Sequence, residues 1–373
     1  MSDTYQKFVS VELLNDFIRD VFVSLGYPVE EAKISAAVLI ESDLRGITSH
    51  GVQRLKYYYD RIKRKQHLIS KFEVVKDKDA VAVIDGHHGN GHYTAFKAME
   101  LAISKAKKFG IGMVVVRNGT HYGIAGYYAL MAVKENCIGI TGTNARPAVA
   151  PTFGVEPMLG TNPLTFGIPT DEAFPFVLDC ATSIIQRGKV EVYARENKDL
   201  PLGCVIDTET GEYRTDAEQL ISDFVEGKAA LLPLGGKGEE LSGHKGYGYS
   251  TVVEILSSAL QNGKFLKDLS GLNEDGSFRH FMIGHFFIAI NVEHFIDVNI
   301  FKKISGSICR ELRNSKKAPG ESRIYTAGEK EYEAEKRVRE HGVPINDSIA
   351  RDLIFLRDDL KLNYVFPFEK EEE

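Results

Sequence analysis

One histidine of this chain lies in a polar, glycine-rich turn between two regular patterns. His121 follows Ile111 to Val116, an apolar, β-branched run that predicts a buried strand, and precedes a proline-free run from Ile124 to Asn136 that predicts a helix. An imidazole can accept or donate a proton near neutral pH, and α/β proteins bind ligands where strands end. A hydrogen-bonded loop histidine is the alternative, and the turn alone leaves both open.

A second imidazole lies close to an arginine in the sequence. Ser49 and His50 occupy a short polar turn, and a helix beginning near Gly51 would bring Arg54 and Tyr58 onto one face behind it. Because a guanidinium donates paired hydrogen bonds to a carboxylate, this face suits an acidic substrate. The alternative is an exposed helix with a surface arginine and a packed tyrosine.

Two glycine-rich stretches depart from the known phosphate-binding motifs. Gly89-Asn90-Gly91 has Thr94 where a dinucleotide fingerprint needs its third glycine, and Gly243-His244-Lys245 lacks the Gly-Lys-Ser/Thr ending of a phosphate loop. The glycines between positions 235 and 248 nevertheless surround two lysines and precede an apolar helix, as a phosphate cradle would. A flexible lid is the alternative.

Neither the histidines nor the cysteines have the spacing of a metal site. His87, His88 and His92 share a glycine turn without the cysteine or carboxylate spacing of zinc ligands, so no metal is expected. The four cysteines are scattered, which argues against a disulfide framework and favours a reducing compartment, the cytoplasm. They are Cys137, Cys180, Cys204 and Cys309.

Length and composition indicate a globular protein with more than one domain. The 373 residues exceed the size at which one hydrophobic core stops growing. Hydrophobic residues make up 43% and charged residues 26%, and no apolar run reaches the roughly 18 residues of a membrane span. A net charge of -6 gives no general attraction for nucleic acid or an anionic membrane. Neither is therefore an expected partner.

Periodicity predicts a mixed α/β protein whose two ends are helical. Val11 to Leu25, with Ser10 as a candidate N-cap, Val29 to Leu44 and a third run through Ile62 all have helical spacing. The stretch from 144 to 169, rich in Pro, Gly, Thr and Asn, is too long for a simple connection and predicts a functional loop. Strands are predicted at 81–85, 111–116, 138–143, 174–179 and 285–291, and further helices at 95–108, 124–136, 246–260, 301–313, 331–341 and 348–356.

Five groups of short motifs occur in order along nearly the whole chain. They are Asp43-Leu44-Arg45-Gly46 with Ser49-His50-Gly51-Val52; His121-Tyr122-Gly123-Ile124-Ala125-Gly126-Tyr127-Tyr128; Gly160-Thr161-Asn162-Pro163; Asp179-Cys180-Ala181-Thr182-Ser183 with Gly188-Lys189; and Leu232-Pro233-Leu234-Gly235-Gly236 with Gly243-His244-Lys245-Gly246-Tyr247-Gly248. In these motifs the sequence resembles the type 2 malate/L-lactate dehydrogenases, NAD(P)-dependent oxidoreductases without a Rossmann fold.

The resemblance implies a reaction and assigns roles to particular residues. It implies reversible hydride transfer between NAD or NADP and C2 of a small 2-hydroxy acid, with malate favoured and lactate or sulfolactate next. His121 would donate and accept the hydroxyl proton, Arg54 would bind the substrate carboxylate, and His50 would be a further active-site group. Substrate contacts are expected from Ser49, Arg54, Tyr58, Thr161 and Asn162. Cofactor contacts are expected from His121, Ile124, Gly126, Asp179, Cys180, Ala181, Lys245, Gly246, Gly328 and Glu329.

The resemblance also implies a domain organisation and an assembly. Helical N- and C-terminal parts would surround a central, non-Rossmann, cofactor-binding sheet domain. Residues 1–75 would form the helical N-terminal part, which joins 76–123 and 300–373 in a mixed α/β domain for substrate binding and dimerisation. Residues 124–299 would bind NAD(P), and two copies would form a homodimer.

Four positions depart from the family pattern. Gly119 stands where serine is usual, Tyr122 where phenylalanine is common, His92 where a glutamine occurs, and Cys204 where a tryptophan occurs. All the acid/base groups are kept. Two other functions remain open: a reductase of a cyclic imine or another keto acid on the same fold, and a non-catalytic homologue that only binds a dinucleotide.

Overall fold

The computed structural model describes residues 7–69 and 71–369 of the chain. Its α-helices are α1 (Val11–Ser24), α2 (Val29–Leu44), α3 (Leu55–Lys63), α4 (Gly91–Phe109), α5 (Ala125–Lys134), α6 (Arg187–Arg195), α7 (Ala217–Glu226), α8 (Gly243–Leu256), α9 (Val298–Asn314), α10 (Glu329–His341) and α11 (Asp347–Asp359). Its strands are β1 (Lys7–Val9), β2 (Glu73–Lys78), β3 (Val81–Asp85), β4 (Ile111–Gly119), β5 (Cys137–Thr143), β6 (Leu164–Ile168), β7 (Phe176–Cys180), β8 (Val205–Asp207), β9 (Tyr213–Arg214), β10 (Ala229–Leu231), β11 (Ile283–Asn291) and β12 (Val343–Ile345).

A seven-stranded sheet in the order β2-β3-β4-β11-β5-β6-β7 forms the centre of the fold. Only the pair β3 and β4 is parallel; every other neighbouring pair is antiparallel. β11 pairs with β4 on one side and β5 on the other, so it lies in the middle of the sheet although it comes late in the chain. The boundary expected at residue 123 therefore falls within a single sheet.

Helices cover both faces of this sheet, which explains why its central strands are apolar on both sides. On one face, α4 and α5 pack against β3, β4 and β11 through a core that includes Met99, Tyr128 and Phe287. On the other face, Val253 of α8 meets Phe286 in a smaller cluster. The sheet is thus a rigid, buried support for the turns at the ends of its strands.

The two ends of the chain form a separate helical core. α1, α2 and α3 pack against α11, and β1 pairs with β12 in an antiparallel ladder, so the N- and C-terminal parts fold as one unit. Phe17 makes edge-to-face contacts with Tyr364 and Phe366, with ring centroids 5.2 and 5.1 Å apart. As predicted, Ser10 caps α1, since its hydroxyl accepts a hydrogen bond from the Leu13 N–H.

A third unit combines a small sheet with two helices. β8 lies between β9 and β10, and this sheet packs with α6 and α7 around Leu220 and Leu231. The sequence patterns had indicated none of these elements, because the strands are only two or three residues long and α6 is largely polar. β2, β6 and the terminal strands were also not predicted, whereas α2 and β3 have the predicted bounds.

The glycine-rich stretch before α8 is a tightly packed turn, not an open lid. A Cβ at Gly243 would overlap the carbonyl oxygen of Gly236, and one at Gly246 would overlap that of Leu234. These glycines therefore allow the turn to lie directly on the first turn of α8. Within residues 7–69 and 71–369, no helix is long and apolar enough to cross a membrane.

Candidate active site

The turn after β4 holds His121 in place through contacts that need small residues. Gly119 lies against His285, and a Cβ there would be 2.5 Å from the Nε2 atom of His285. The hydroxyl of Thr120 donates to the carbonyl oxygen of Gly89 at 2.8 Å. Glycine at position 119, instead of the serine expected from the resemblance, is therefore explained by a buried imidazole on the neighbouring strand β11.

His121 belongs to a buried hydrogen-bonded array with two other side chains. Its Nδ1 atom lies 2.6 Å from the hydroxyl of Tyr58, and the same hydroxyl lies 3.0 Å from the Nε2 atom of His92. A hydroxyl has one proton and can accept others, so it can donate to one ring while accepting from the other. Either arrangement of the array sets the tautomer of His121 and leaves its Nε2 atom available for a ligand.

The surroundings of His121 strongly favour the neutral imidazole. Burial holds its pKa well below the ordinary histidine value, and the neighbouring His50 and the positive charge of Arg54 lower it further. At neutral pH the ring is therefore uncharged. A neutral imidazole can take a proton from a hydroxyl group, which is the role of a general base.

Two consecutive 3₁₀ turns, Thr48–His50 and Val52–Arg54, bring the second imidazole and the arginine to the same place. The rings of His50 and His121 are stacked, with centroids 5.6 Å apart. The Ser49 hydroxyl lies 2.9 Å from Nδ1 of His50, and Nε of Arg54 donates to the Ser49 carbonyl oxygen at 2.7 Å. Burial, and then Arg54, lower the pKa of His50 to about 4.

A buried carboxyl group anchors these turns. Asp43, at the end of α2, accepts a hydrogen bond from the Val52 N–H at 2.8 Å, and burial raises its pKa to about 8. Gly51 lies against this carboxyl group, and a Cβ at that position would overlap it. The geometry of the turn therefore depends on an acid and a glycine that do not themselves line either cavity described below.

Two cavities meet at this cluster, with volumes of about 200 and 220 Å³. Thr161 and Arg187 line both of them, so the cavities share a wall. The first is lined by Ile47, Ser49, His50, Arg54, Gly123, Ile124, Ala125, Thr161, Pro163, Asp179, Cys180, Ala181, Gln186, Arg187 and Gly188. The second is lined by Tyr57, His121, Ala145, Arg146, Pro147, Ala148, Pro157, Thr161, Arg187, Phe224, Ala229, Leu231, Phe281 and Ile283.

Positive charge dominates the walls of both cavities. Arg54 and Arg187 line the first, and Arg146 and Arg187 line the second. Among the lining residues Asp179 is the carboxylic acid; it accepts hydrogen bonds from the Gly126 N–H at 2.7 Å and the Thr165 hydroxyl at 2.8 Å, and burial raises its pKa. The site is therefore suited to anionic ligands.

Most of the residues expected at the site from the sequence come together around these cavities. Ser49, His50, Arg54, Ile124, Thr161, Asp179, Cys180 and Ala181 line the first cavity, and His121 lines the second. Gly126 lies one layer behind the wall, because its N–H binds Asp179.

Two expected substrate residues point elsewhere. The Tyr58 hydroxyl bonds to His121 and His92, so Tyr58 lies behind His121, and neither cavity includes it. Asn162 is fully buried and its amide donates to the carbonyl oxygen of Ser250 and to Glu254. Both side chains therefore contact protein groups, and their contact with a substrate stays a prediction.

The four remaining expected cofactor residues lie outside the two cavities. Lys245 is exposed on the first turn of α8, and Gly246 packs against Leu234. Gly328 packs against β7, which carries Asp179 at its other end, while Glu329 pairs with Arg323. These four residues could therefore contact only the part of a long ligand that extends beyond the two cavities.

Sequence reasoning missed Tyr57, Arg146, Gln186 and Arg187. Tyr57 is three residues after Arg54 and Tyr58 is four, and both spacings place a residue on the same helix face. Arg146 belongs to the loop that its length and composition had marked as functional, but no pattern singled out this residue. Arg187 opens α6, which was not predicted.

The walls of the first cavity fit a nicotinamide dinucleotide. Gly123, Ala125, Ala181 and Gly188 have small or absent side chains, so a flat ring can lie close to the backbone. The N-terminus of α5 opens at the same wall, where the Gly126 N–H donates to the Asp179 carboxyl group. The arginines of the wall suit the phosphates of such a ligand.

Fold and site together indicate a class of enzyme: a neutral imidazole beside arginine-lined cavities suits a small organic acid, and the adjoining cleft suits a dinucleotide. The family model described as malate/L-lactate dehydrogenase matches residues 9–354, so the chain belongs to this family. It is an oxidoreductase that acts on the CH–OH group of a 2-hydroxy acid with a nicotinamide dinucleotide.

Known relatives match the chain over almost its whole length. Malate dehydrogenase of Pyrococcus horikoshii is 45% identical over 346 residues, which are 92% of this chain and 93% of that protein. A crystal structure of malate dehydrogenase from Entamoeba histolytica aligns with a TM-score of 0.93 at 46% identity, covering 96% of this chain and 99% of that one. For sulfolactate dehydrogenase from Methanocaldococcus jannaschii the TM-score is 0.84 at 35% identity, covering 95% and 98%.

Proposed function

We propose that this enzyme is a malate dehydrogenase in which His121 transfers the hydroxyl proton and Arg54 binds the C1 carboxylate. The observation that carries the proposal is a neutral, half-buried His121 that lines one of two adjoining arginine-lined cavities. Relatives named malate and sulfolactate dehydrogenase support it, because both names denote 2-hydroxy acids with a second acid group. Sulfolactate and lactate follow malate as candidate substrates.

In the oxidative direction, His121 acts as the general base. Its neutral Nε2 atom takes the proton of the substrate hydroxyl while the hydrogen on C2 leaves as hydride. When bound, the nicotinamide dinucleotide supplies the hydride acceptor or donor. Arg54 orients C2 by holding the carboxylate, and its Nε–H, already bonded to Ser49, keeps the guanidinium from rotating.

In the reductive direction, His121 must carry a proton to give to the carbonyl oxygen. The low pKa of the free site would disfavour this, but a bound dianionic keto acid places negative charge beside the ring and raises its pKa. His50 stays neutral because burial and Arg54 lower its pKa to about 4, so it serves as a hydrogen-bonding group and not as a second acid.

The substrate assignment is tested with a panel of acids. Oxaloacetate, pyruvate, sulfopyruvate and a cyclic imine carboxylate are each offered with NADH and with NADPH, and loss of the reduced-nicotinamide absorbance is followed. We expect oxaloacetate to have the highest kcat/KM, and the same assay reports the preferred cofactor. Turnover of the imine alone would replace the proposal with an imine reductase, and dinucleotide binding without turnover would indicate a non-catalytic homologue.

The roles of His121 and Arg54 are tested by substitution. We expect His121→Ala to lower kcat by at least about 100-fold, as loss of a general base does, while dinucleotide binding is retained. Arg54→Lys should reduce kcat/KM about tenfold or more, because an ammonium cannot donate the paired hydrogen bonds of a guanidinium. His88→Ala, which removes an imidazole that stacks on His280 outside the cavities, is the control. Wild-type kinetics in either active-site variant would contradict the assignment.

We also propose that different parts of the chain bind the cofactor and the substrate. Residues 124–299 supply the dinucleotide contacts, with Ile124, Asp179, Cys180 and Ala181 nearest the nicotinamide and Gly126 supporting Asp179. Lys245, Gly246, Gly328 and Glu329 lie farther along the path of the dinucleotide. Residues 1–123 and 300–373 supply dimer contacts and, through His50, Arg54 and His121, the substrate contacts nearest C2. The free thiols support a cytoplasmic location.

A homodimer is the proposed assembly, with α9 in the interface. Ile300, Ile304, Ile308 and Leu312 repeat every four residues along α9, and each is 51–57% exposed, which leaves an apolar stripe on the surface. A stripe of this kind can pair with its own copy across a twofold axis. We expect sedimentation to give twice the 41.5 kDa chain mass.

The stripe is tested by two charged substitutions. Ile304→Glu with Ile308→Glu should halve the sedimenting mass, because two carboxylates cannot be buried without partners. Leu202→Glu with Val225→Glu, at exposed positions of the small third unit, is the matched control and should stay dimeric. A monomeric wild type would reject the dimer, and a dimeric stripe variant would reject α9 as its interface.

A further inference from the structure

Arg146 lies in the cavity of His121 without a protein counterion. It belongs to the loop between β5 and β6 and lines the second cavity together with His121, Tyr57 and Thr161. Its side chain is exposed to solvent, so a ligand in the cavity can reach it. Among residues 7–69 and 71–369 it forms no ion pair and no hydrogen bond, so its guanidinium donors are free for a ligand.

The neighbouring arginines are already partly occupied. Nε of Arg54 donates to Ser49, and Arg61 donates to Gln66 and stacks on Tyr57 and Phe281. Arg187 lies 3.6 Å from the carboxylate of Glu191. Among the arginines of the two cavities, Arg146 is therefore the one whose charge and hydrogen-bond donors have no partner in the described part of the chain. They can bind a ligand.

Arg146 has positively charged neighbours. Partial desolvation by the surrounding protein lowers its pKa, and the positive charges of Arg61 and Arg187 lower it further. Like charges held close together repel one another, and an anionic ligand would relieve that repulsion. Among the described residues that line the second cavity there is no carboxylate.

We infer that Arg146 binds the second acid group of a dianionic substrate and thereby determines specificity for four-carbon 2-keto dicarboxylic acids over monocarboxylic ones. Arg54 and Arg146 line different cavities that share a wall beside His121, which is the arrangement that an acid with anionic groups at both ends requires. The inference rests on the proposed function and deepens it, because it names the residue that selects the substrate class.

The decisive experiment compares two substrates that differ by one acid group. Oxaloacetate and 2-oxobutyrate both have four carbons, but 2-oxobutyrate has one carboxylate. In Arg146→Met we expect kcat/KM for oxaloacetate to fall at least 100-fold, while that for 2-oxobutyrate changes less than threefold. Arg146→Lys should recover part of the loss for oxaloacetate, since it restores charge without the paired geometry.

The control variant is Arg64→Met. It removes an exposed arginine that stacks on Phe278, and it should leave the ratio of kcat/KM for the two substrates unchanged. An equal fall with both substrates would mean that Arg146 supports the fold or the cofactor, and an unchanged ratio would mean that another group binds the second acid. Either result overturns the inference.

A binding measurement separates this inference from the proposed reaction. Succinate and butyrate, with two and one carboxylates, are titrated into the wild type and Arg146→Met in the presence of the reduced cofactor. We expect at least tenfold tighter binding of succinate by the wild type, and loss of that preference in the variant. If oxaloacetate is not turned over, the proposed function fails while this titration still decides the role of Arg146; an equal preference in both proteins overturns that role.

Discussion

At the scale of single residues, the main feature of the site is the shared hydroxyl of Tyr58. Neutral His121 can keep its proton on Nδ1, donate it to the Tyr58 oxygen and leave Nε2 as a base, with Tyr58 donating to His92. The reversed array leaves the proton on Nε2, where it can be donated to a carbonyl oxygen. The Gly123 N–H, 3.3 Å from Nδ1, favours this second arrangement. Tyr58 is thus a positioning residue for both directions of the reaction.

Removing this hydroxyl is a test of the array. We expect Tyr58→Phe to lower kcat about 10- to 100-fold with little change in dinucleotide affinity, because His121 loses the partner that sets its tautomer. The pH profile of kcat should also shift. Tyr59→Phe is the matched control: its hydroxyl donates to Asp359 at 2.6 Å, away from the site. Equal activities of the two variants would show that the bond to His121 has no catalytic role.

The sequence indicated several residues that line the cavities, but it could not show which neighbouring side chains reach them. His121, His50 and Arg54 were identified because their types and neighbouring turns suggested proton transfer and carboxylate binding. Tyr57 and Tyr58 could not be distinguished, since spacings of three and of four residues from Arg54 both place a side chain on the same helix face. Arg146 depends on how a long loop folds back over the sheet, and no local pattern encodes that.

At the scale of elements, the turns from Thr48 to Arg54 are anchored to the end of α2, and this contact fixes the positions of His50 and Arg54. Asp43 holds the Val52 N–H, and Gly51 leaves the space that the carboxyl group occupies. The backbone of Gly51 has φ of -88°, so glycine is required by space and not by conformation. Any side chain at this position must displace Asp43 or the turn itself.

Gly51→Ala tests this dependence. We expect the free energy of unfolding to fall by about 1–3 kcal/mol, as overpacking in a core does, and kcat/KM to fall because Arg54 and His50 move together. Gly248→Ala is the control, since a Cβ there, inside α8, meets nothing within 4 Å. It should raise stability by about 0.5–1 kcal/mol through helix propensity. A Gly51→Ala protein that matches this control would show that the turn can adapt.

Element prediction succeeded where periodic patterns were long and failed where pairing was distant. Helices such as α1 and α2 show their apolar face over four turns. β1 and β12 have three residues each, and they become strands only because the two ends of the chain meet. Likewise β11 was predicted as a buried strand, but its position between β4 and β5 depends on pairing across more than 140 residues.

At the scale of the whole molecule, folding buries several imidazoles in neutral form. Burial lowers the pKa of His67, His92 and His285 to about 3, and that of His50 to about 4. Below pH of about 6.5 the unfolded chain binds protons that the folded protein excludes. The stability from these groups is therefore complete above that pH and is lost as the pH falls. Asp43, whose pKa rises to about 8, has the opposite effect.

His92→Gln isolates one of these contributions, because glutamine can keep a hydrogen bond to Tyr58 and does not titrate. The pKa of His92 in the folded protein is about 3. The free energy of unfolding of the wild type should therefore fall by about 2 kcal/mol between pH 8 and pH 5 because of His92, and His92→Gln should not show this fall. The free energy of unfolding is measured for both proteins at the two pH values, so the effect of Asp43 cancels in the difference. A difference that stays constant with pH would mean that the folded protein binds the proton of His92 as readily as the unfolded chain does. At pH 5 His92 would then be protonated and would donate to Tyr58, so Tyr58 would donate to Nδ1 of His121 and leave the His121 proton on Nε2.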